Sequence, residues 1–216
     1  MRMREELAEL IGTFTLVFIG AGAGALASSN GSGLVGVALA HGVALMVIVY
    51  AWGAISGAHV NPAVTFGVAL AGRMDWLKAL RYWVAQLLGA ALAGFLLRWL
   101  LGETGALGMT LPGSGVSAAQ AVTIEAILTF FLVIAVFGSA VAGRNGNAAG
   151  LAIGMVLAMD ILMGGSLTGA SMNPARTFGP ALALMRFGDL WIYVVGPLVG
   201  GGLAALVYDR VFIRES

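Results

Sequence analysis

The chain has 216 residues, of which 60% are hydrophobic and 10% charged, and its formal net charge at pH 7 is +1. Soluble domains are about 25% charged, so this composition excludes a soluble globular protein and predicts an all-α integral membrane protein. The small net charge, without a basic run, excludes a nucleic-acid partner, and the absence of cysteine excludes disulfides, thiol catalysis and cysteine metal sites.

Six apolar stretches are long enough to cross a bilayer, since a spanning helix needs about 20 mostly apolar residues. Segments rich in glycine and polar residues separate them. The first stretch runs on without a signal-peptide cleavage pattern, so we expect it to be retained. The predicted spans cover residues 9–28, 34–54, 80–101, 118–141, 148–167 and 189–209.

The distribution of arginine and lysine predicts which side carries the termini. Six spans place both termini on one side of the membrane, and that side holds eight basic residues against three on the other. Cytoplasmic loops carry an excess of such residues, so we expect cytoplasmic termini and a location in the cell membrane, plasma or inner. The eight are Arg2, Arg4, Arg73, Lys78, Arg81, Arg144, Arg210 and Arg214, and the three are Arg98, Arg176 and Arg186.

Outside the spans, one motif occurs twice, as VNPAVTFGVALA from Val60 and as MNPARTFGPALA from Met172. Residues 62–71 and 174–183 would each form a helix about 15 Å long, half the thickness of the hydrocarbon core. Asparagine is a favourable N-cap and proline fits the first helical position. Each copy therefore predicts a re-entrant half-helix that begins near the membrane midplane.

The similarity between the two halves extends beyond this motif. We therefore predict one channel domain, 1–216, built from two repeats at about 1–105 and 116–216. Each repeat contains three spans, an odd number, so the second is inverted relative to the first, and the functional site is expected between them near the midplane. Residues 9–22 match residues 125–138 at 7 of 14 positions, and residues 82–93 match residues 193–204 at 6 of 12.

The backbone before each half-helix is predicted to be unwound. Such backbone exists at membrane depth only where it is buried in protein or lines a wet cavity. Its carbonyl groups then offer a line of acceptors, and the side-chain amides of Asn61 and Asn173 offer central donors, which suits a small polar molecule, above all water. The expected pore-lining carbonyl loops contain Gly57, Ala58, His59 and Val60, and then Gly169, Ala170, Ser171 and Met172.

The paired boxes Asn61-Pro62-Ala63 and Asn173-Pro174-Ala175, with Arg176 after the second, resemble those of the aquaporin, or major intrinsic protein, family. The resemblance covers nearly the whole chain. It implies the aquaporin fold of six spans and two half-helices, and a homotetramer in the lipid bilayer with one pore per subunit. It also implies passive transport of water and small neutral solutes, without enzymatic activity, cofactor or metal.

The helical rise places His41, Ile161 and Arg176 at similar depths, about 10 Å below the outer face. The resemblance assigns these three positions and Ala170 to the selectivity ring of the pore. His41 and Ile161 replace the Phe and His of strict water channels, and the pairing is similar to that of plant vacuolar aquaporins, several of which also pass ammonia, urea or peroxide. We therefore expect a small neutral solute, such as ammonia, urea or glycerol, to pass beside water.

Two further positions bear on the branch of the family. Thr177 and Ala181 stand where glycerol facilitators usually carry Asp and a basic residue, which favours the water branch. Val194 follows Tyr193 where the water branch usually has Trp, which departs from that pattern. A glycerol or ammonia facilitator, in which water is incidental, stays open as the alternative.

The remaining polar residues of the spans receive separate interpretations. Glu9 and Glu125 are predicted to be structural buried acids that accept hydrogen bonds from the re-entrant loops. His59 either lines the vestibule or orients its loop. Asp160 could be protonated, paired or facing the lumen, and in the last case it would favour an ion channel or ion-coupled transporter. No nucleophile, base or metal ligands cluster outside the pore positions, so we do not expect an enzyme.

Overall fold

The protein was analysed as a computed structural model, which describes residues 2–213; Met1 and residues 214–216, with Arg214 of the charge comparison, lie outside the described residues. The described residues form α-helices joined by short loops, and none of them is in a β-strand. Short π-helical segments continue two helices, to Val141 and to Ile213. The helices are α1 Arg2–Leu26, α2 Gly33–Ser56, α3 Pro62–Leu70, α4 Trp76–Leu101, α5 Ala118–Val136, α6 Ala149–Thr168, α7 Pro174–Leu184 and α8 Ile192–Val207.

Six helices, α1, α2, α4, α5, α6 and α8, are long and apolar enough to cross a membrane, which confirms the six predicted spans. Two of them begin earlier than the apolar pattern predicts. The first turns of α1 and α4 carry charged residues that pair with each other, Lys78 with Glu5 at 2.8 Å and Arg81 with Glu6 at 3.3 Å. The apolar pattern marks only the lipid-embedded part of a helix, and these paired ends extend beyond it.

The two predicted half-helices, α3 and α7, are confirmed, with ends one residue from those expected. The side-chain oxygen of Asn61 accepts from the Ala63 N–H at 2.8 Å. That of Asn173 accepts from the N–H groups of Ala175 at 3.0 Å and Arg176 at 3.2 Å. Each asparagine therefore caps its helix, and proline fills the first position, where no N–H partner is needed.

The spanning helices approach each other closely at glycines. A Cβ atom added to Gly42 of α2 would lie 2.6 Å from the carbonyl oxygen of Gly154 in α6, and one added to Gly196 of α8 would lie 2.8 Å from the Cβ of Glu125 in α5. Small residues allow this in lipid, where dispersion contacts rather than the hydrophobic effect join helices. The spanning helices pair most closely as α2–α6, α1–α4 and α5–α8, while α3 packs mainly against α8 and α7 mainly against α4.

Candidate functional site

The half-helices meet through a pair of crossed hydrogen bonds. The side-chain amide of Asn61 donates to the Met172 carbonyl at 2.8 Å, and that of Asn173 donates to the Val60 carbonyl at 2.9 Å. Helices of nine and eleven residues cover about 14 and 17 Å, which together equal the hydrocarbon core of about 30 Å. The junction therefore lies near the midplane. One N–H of each amide is committed to the protein, which the sequence did not anticipate, and the other remains available.

The first re-entrant loop is held by the buried carboxylate of Glu9. It accepts hydrogen bonds from the Ser56 hydroxyl at 2.7 Å and from the N–H groups of His59 and Val60 at 2.9 and 2.7 Å. The side-chain amide of Gln86 donates to it as well, at 2.8 Å. Hydrogen bonds to a charged acceptor are about twice as strong as neutral ones. Gln86 was missed at the sequence level, where its signal is a lone amide in an apolar span.

The buried carboxylate of Glu125 holds the second loop in the same way. The Thr168 hydroxyl donates to it at 2.7 Å, and the N–H groups of Ser171 and Met172 donate at 3.0 and 2.7 Å. The hydroxyl of Tyr193 donates to the Thr168 carbonyl at 2.6 Å and ties the loop to α8. Each loop thus turns its N–H groups toward a carboxylate.

Most carbonyl groups of the two loops are left free by this arrangement. Ala58 and Val60 have φ angles of +50° and +42°, a left-handed conformation that is rare for residues with a side chain and marks functional loops. Val60 and Met172 use their carbonyls at the junction. Among residues 2–213, the protein offers no hydrogen-bond donor to the carbonyl oxygens of Gly57, Ala58, His59, Gly169, Ala170 and Ser171.

A narrow cavity lies beside the junction. About 30 Å³ of it is open to the centre of a water-sized sphere, whereas one water needs roughly 10–15 Å³ by the same measure. The cavity therefore has room for a few waters and for nothing large. The polar lining consists of Gly57, Ala58, His59, Val60, Asn61, His41, Ser171, Asn173 and Arg176, and the apolar lining of Leu16, Leu45, Val49, Val64, Leu132, Val136, Ala140, Ile153 and Leu157.

Two members of the predicted selectivity ring meet at this cavity. Arg176 donates from Nε to Nε2 of His41 at 3.2 Å, while His41 donates from Nδ1 to the Val37 carbonyl at 2.9 Å. This assignment of the imidazole proton follows from the two partners. The other two members, Ile161 and Ala170, are buried together in the adjacent apolar cluster and do not belong to the described lining of the cavity.

Arg176 is also held by a residue that sequence reasoning missed. Its Nη1 donates to the carbonyl of Gly108 at 2.6 Å. Gly108 ends a turn, Thr104–Gly108, in which Gly105, Ala106 and Leu107 adopt left-handed φ angles of 52°, 46° and 54°. The glycine-rich sequence signals an unusual backbone here, but nothing local identifies its partner as an arginine 68 residues away.

A chain of hydroxyl groups joins the segment after that turn to the second loop. Thr177 donates to the Ser171 hydroxyl at 2.7 Å, and Ser171 donates to the Asn173 carbonyl at 2.9 Å. Because the Thr177 proton is engaged, the Thr110 hydroxyl donates to Thr177, at 2.7 Å. Thr110 is buried.

Asp160 lies away from this site. It is 1% exposed, and neither carboxyl oxygen has a hydrogen-bond partner among the residues that the structure describes. It is not part of the cavity lining, so it does not support the ion-transport alternative. The described part of the chain also contains no cluster of three or more His, Asp or Glu side chains that could hold a metal ion.

Comparison with known proteins agrees with this geometry. The family model described as major intrinsic protein matches residues 1–208. The chain belongs to the major intrinsic protein family. Aquaporin TIP1-1 of Zea mays is 45% identical over 226 residues, which cover 99% of this chain and 89% of that relative. Aquaporin TIP2-1 of Arabidopsis thaliana is 43% identical over 228 residues, with the same coverage.

A solved structure shares the arrangement of this major intrinsic protein. The X-ray structure of the aquaglyceroporin from Plasmodium falciparum superimposes with a TM-score of 0.90 at 26% sequence identity and covers 99% of this chain and 98% of that one. Together with the six apolar helices, the family establishes an integral membrane protein with the aquaporin fold.

Proposed function

We propose that this chain is a passive channel for water and small neutral solutes. The observation that carries the proposal is the cavity, whose lining combines the polar groups of both loops, Asn61, Asn173, His41 and Arg176 with apolar side chains. Free carbonyls of the two loops and the second N–H of Asn61 and Asn173 replace the hydrogen bonds that a water leaves behind. The apolar side chains of the lining offer no hydrogen-bond partners, so waters pass in single file and are not bound tightly.

Exclusion of cations follows from two fixed sources of positive charge at this site. The N-termini of α3 and α7 carry the positive ends of their helix dipoles and meet at the junction. Arg176 is 4% exposed and adds a full charge beside the cavity. A fixed arginine and half-helix dipoles are the electrostatic barrier of aquaporin-type pores.

We propose that His41, Ile161, Ala170 and Arg176 form the selectivity ring, and that the ring admits at least one solute among ammonia, urea and glycerol. The bond between His41 and Arg176 holds both polar groups against one side. Ile161 is buried in the cluster beside the cavity, and as a ring member it would offer an apolar surface where a histidine would offer polar atoms. Ammonia and glycerol form fewer hydrogen bonds per unit of surface than water. They therefore lose fewer hydrogen bonds than water does beside an apolar surface.

The test is flux through proteoliposomes, measured by stopped-flow light scattering for water, urea and glycerol and by internal pH for ammonia. We expect water permeability clearly above that of empty vesicles, passage of at least one of the three solutes, and no single-channel current in planar bilayers. Ionic current from active protein would contradict the proposed function.

The second candidate is a facilitator of glycerol or ammonia in which water is incidental, and the match to an aquaglyceroporin structure favours keeping it. The flux of each solute compared with that of water separates the two candidates, and the double variant His41→Phe with Ile161→His tests whether the ring sets selectivity. If the ring sets selectivity, the variant lowers solute flux more than water flux, by several-fold in the ratio. An unchanged ratio would place the filter elsewhere, with the outer segment around Thr110 as the next candidate.

We further propose a homotetramer in the cell membrane, plasma or inner, with both termini in the cytoplasm. We also propose that the two halves, about 1–105 and 116–216, are inverted repeats. The matched hydrogen bonds of Glu9 and Glu125 support the repeat. Because the chain lacks cysteine, single cysteines placed in the loops can report sidedness through an impermeant thiol reagent, and chemical cross-linking in membranes counts the subunits.

A further inference from the structure

A second cavity lies on the other side of the half-helix junction. Asn61 and Asn173 line the water cavity, whereas the prolines that follow them line an apolar groove of about 280 Å³ between α4 and α8. Of the groove's lining residues, Trp83 alone has a side-chain hydrogen-bonding group, and its indole N–H already donates to the Pro62 carbonyl at 3.1 Å. The lining consists of Pro62, Trp83, Leu87, Pro174, Phe178, Leu190, Val194 and Leu198.

The groove lies where the two halves differ in side-chain size at a matching position. Tyr82 and Tyr193 occupy matching places, with hydroxyls that donate to the carbonyls of Ser56 at 2.8 Å and Thr168 at 2.6 Å. The next residue is Trp83 in the first half and Val194 in the second. An indole packed on the proline of its half-helix is therefore replaced by an isopropyl group, and the space beside Pro174 is not filled by the chain.

The location of the groove determines which molecules reach it. Neighbouring side chains on both helices are exposed, Val84 and Leu88 on α4 and Val195 and Val199 on α8, so this face is not covered by the chain itself. Pro62 and Pro174 start the half-helices at the midplane, where neither headgroups nor water extend in a bilayer whose hydrocarbon core is about 30 Å thick. The methyl ends of acyl chains are what occupies that depth.

We propose that the groove binds the terminal segment of a phospholipid acyl chain, which enters between α4 and α8 and occupies the space left by Val194. An apolar chain gains by burying surface there and leaves no polar group unpaired. Water gains no hydrogen bond in the groove. The half-helix junction therefore has the water cavity on one side and the lipid acyl chain on the other. The site does not depend on which solute the channel carries.

The experiment uses the full chain in phosphatidylcholine vesicles that contain a small fraction of a lipid with a diazirine near the methyl end of one acyl chain. After irradiation, peptide mass spectrometry locates the adducts. We expect labelling of groove residues such as Leu87, Phe178 and Leu198. A matched lipid with its diazirine next to the ester is expected to label the helix ends instead.

The variant Val194→Trp fills the groove, with an indole placed to donate to the Pro174 carbonyl as Trp83 does to that of Pro62. We expect it to reduce groove labelling at least tenfold, while Val195→Trp, a matched change on the exposed face of α8, leaves it unchanged. Water flux and size-exclusion profile verify that both variants fold. The proposal is overturned by equal labelling in Val194→Trp, by equal labelling from the ester-proximal lipid, or by no groove labelling in the wild type. It is also overturned if Leu198→Cys cross-links to a second copy of the chain, which would make the groove a subunit interface.

Discussion

The two re-entrant loops share one scaffold, but different elements supply the hydrogen-bond donor to the threonine of each half-helix. In the first loop, Nδ1 of His59 and the Thr65 hydroxyl lie 3.1 Å apart, and Gln86 of α4 donates to Thr65 at 3.0 Å. In the second, Ser171 and Thr177 stand at the matching positions. Gln86, however, is matched by Pro197, which has no donor, and the hydroxyl that reaches Thr177 comes from Thr110.

The difference shows which part of the site is inherited from the repeated sequence. The carboxylate, the capping asparagine and the hydroxyl at the third position after Pro62 or Pro174 occur in both halves, and both carboxylates accept hydrogen bonds from two N–H groups of their loop. The remaining partner comes from a spanning helix in one half and from a loop segment in the other. A two-fold pattern in sequence therefore produces a pore whose two ends are supported asymmetrically.

The largest effect is expected from removing either carboxylate. Glu9→Ala and Glu125→Ala each leave several buried donors without an acceptor, and hydrogen bonds to charged groups contribute about 1.5–3 kcal/mol each. We expect neither variant to give a folded peak in fluorescence size-exclusion chromatography. Glu9→Gln and Glu125→Gln keep one acceptor oxygen and serve as controls with intermediate yield. If one alanine variant folds like the wild type, the hydrogen bonds of Glu9 and those of Glu125 do not contribute equally to folding.

Arg176→Val makes the second motif identical to the first at this position, since Val64 is its counterpart. A unit charge about 8 Å from a passing cation contributes about 2 kcal/mol at an effective dielectric constant of 20, equivalent to roughly 30-fold in rate. We expect proton or cation leak to rise by that order, measured with a pH-sensitive dye in proteoliposomes. Arg176→Lys keeps the charge and should leak much less. A variant that fails to assemble would assign Arg176 a structural role instead.

The two halves also differ in their buried apolar interior. Asp160 in α6 is a buried acid, whereas the matching residue in α2 is the buried Ile48. A buried polar group without a partner costs about 1–3 kcal/mol. Asp160→Leu has nearly the same shape without that cost, so we expect it to raise the thermal unfolding temperature in detergent and leave water flux unchanged. Ile48→Asp is the reverse control and should destabilise. A lower stability in Asp160→Leu would mean that the carboxyl group has a partner in the membrane.

The smallest effect is expected at the loop contact. Thr110→Val removes one neutral hydrogen bond to Thr177, and such a bond contributes about 1 kcal/mol. We expect a small decrease in thermal stability, with Thr123→Val as a control, since that hydroxyl is exposed and bonds only within its own helix. A decrease as large as that of the carboxylate variants would show that the outer segment supports the second loop more than its own half does.

Sequence patterns predicted the parts of this protein that depend on neighbouring residues. Apolar length decides where a helix crosses lipid, and Asn-Pro decides where a half-helix begins. These local rules were sufficient to identify six spans, both half-helices and the two capping asparagines. The repeated motif and the resemblance also identified the family, because paired motifs at matching depths in six spans are specific.

The tertiary structure alone decided contacts between residues far apart in the chain. The helical rise placed His41 and Arg176 at similar depths, but nothing near Arg176 indicates that its guanidinium also donates to the carbonyl of Gly108, since that contact depends on how a left-handed turn packs against α1. The packing also buries Ile161 beside the cavity rather than in its described lining. It leaves a groove where Val194 stands at the position that matches Trp83. Such contacts arise from the shapes of packed helices, which local sequence does not encode.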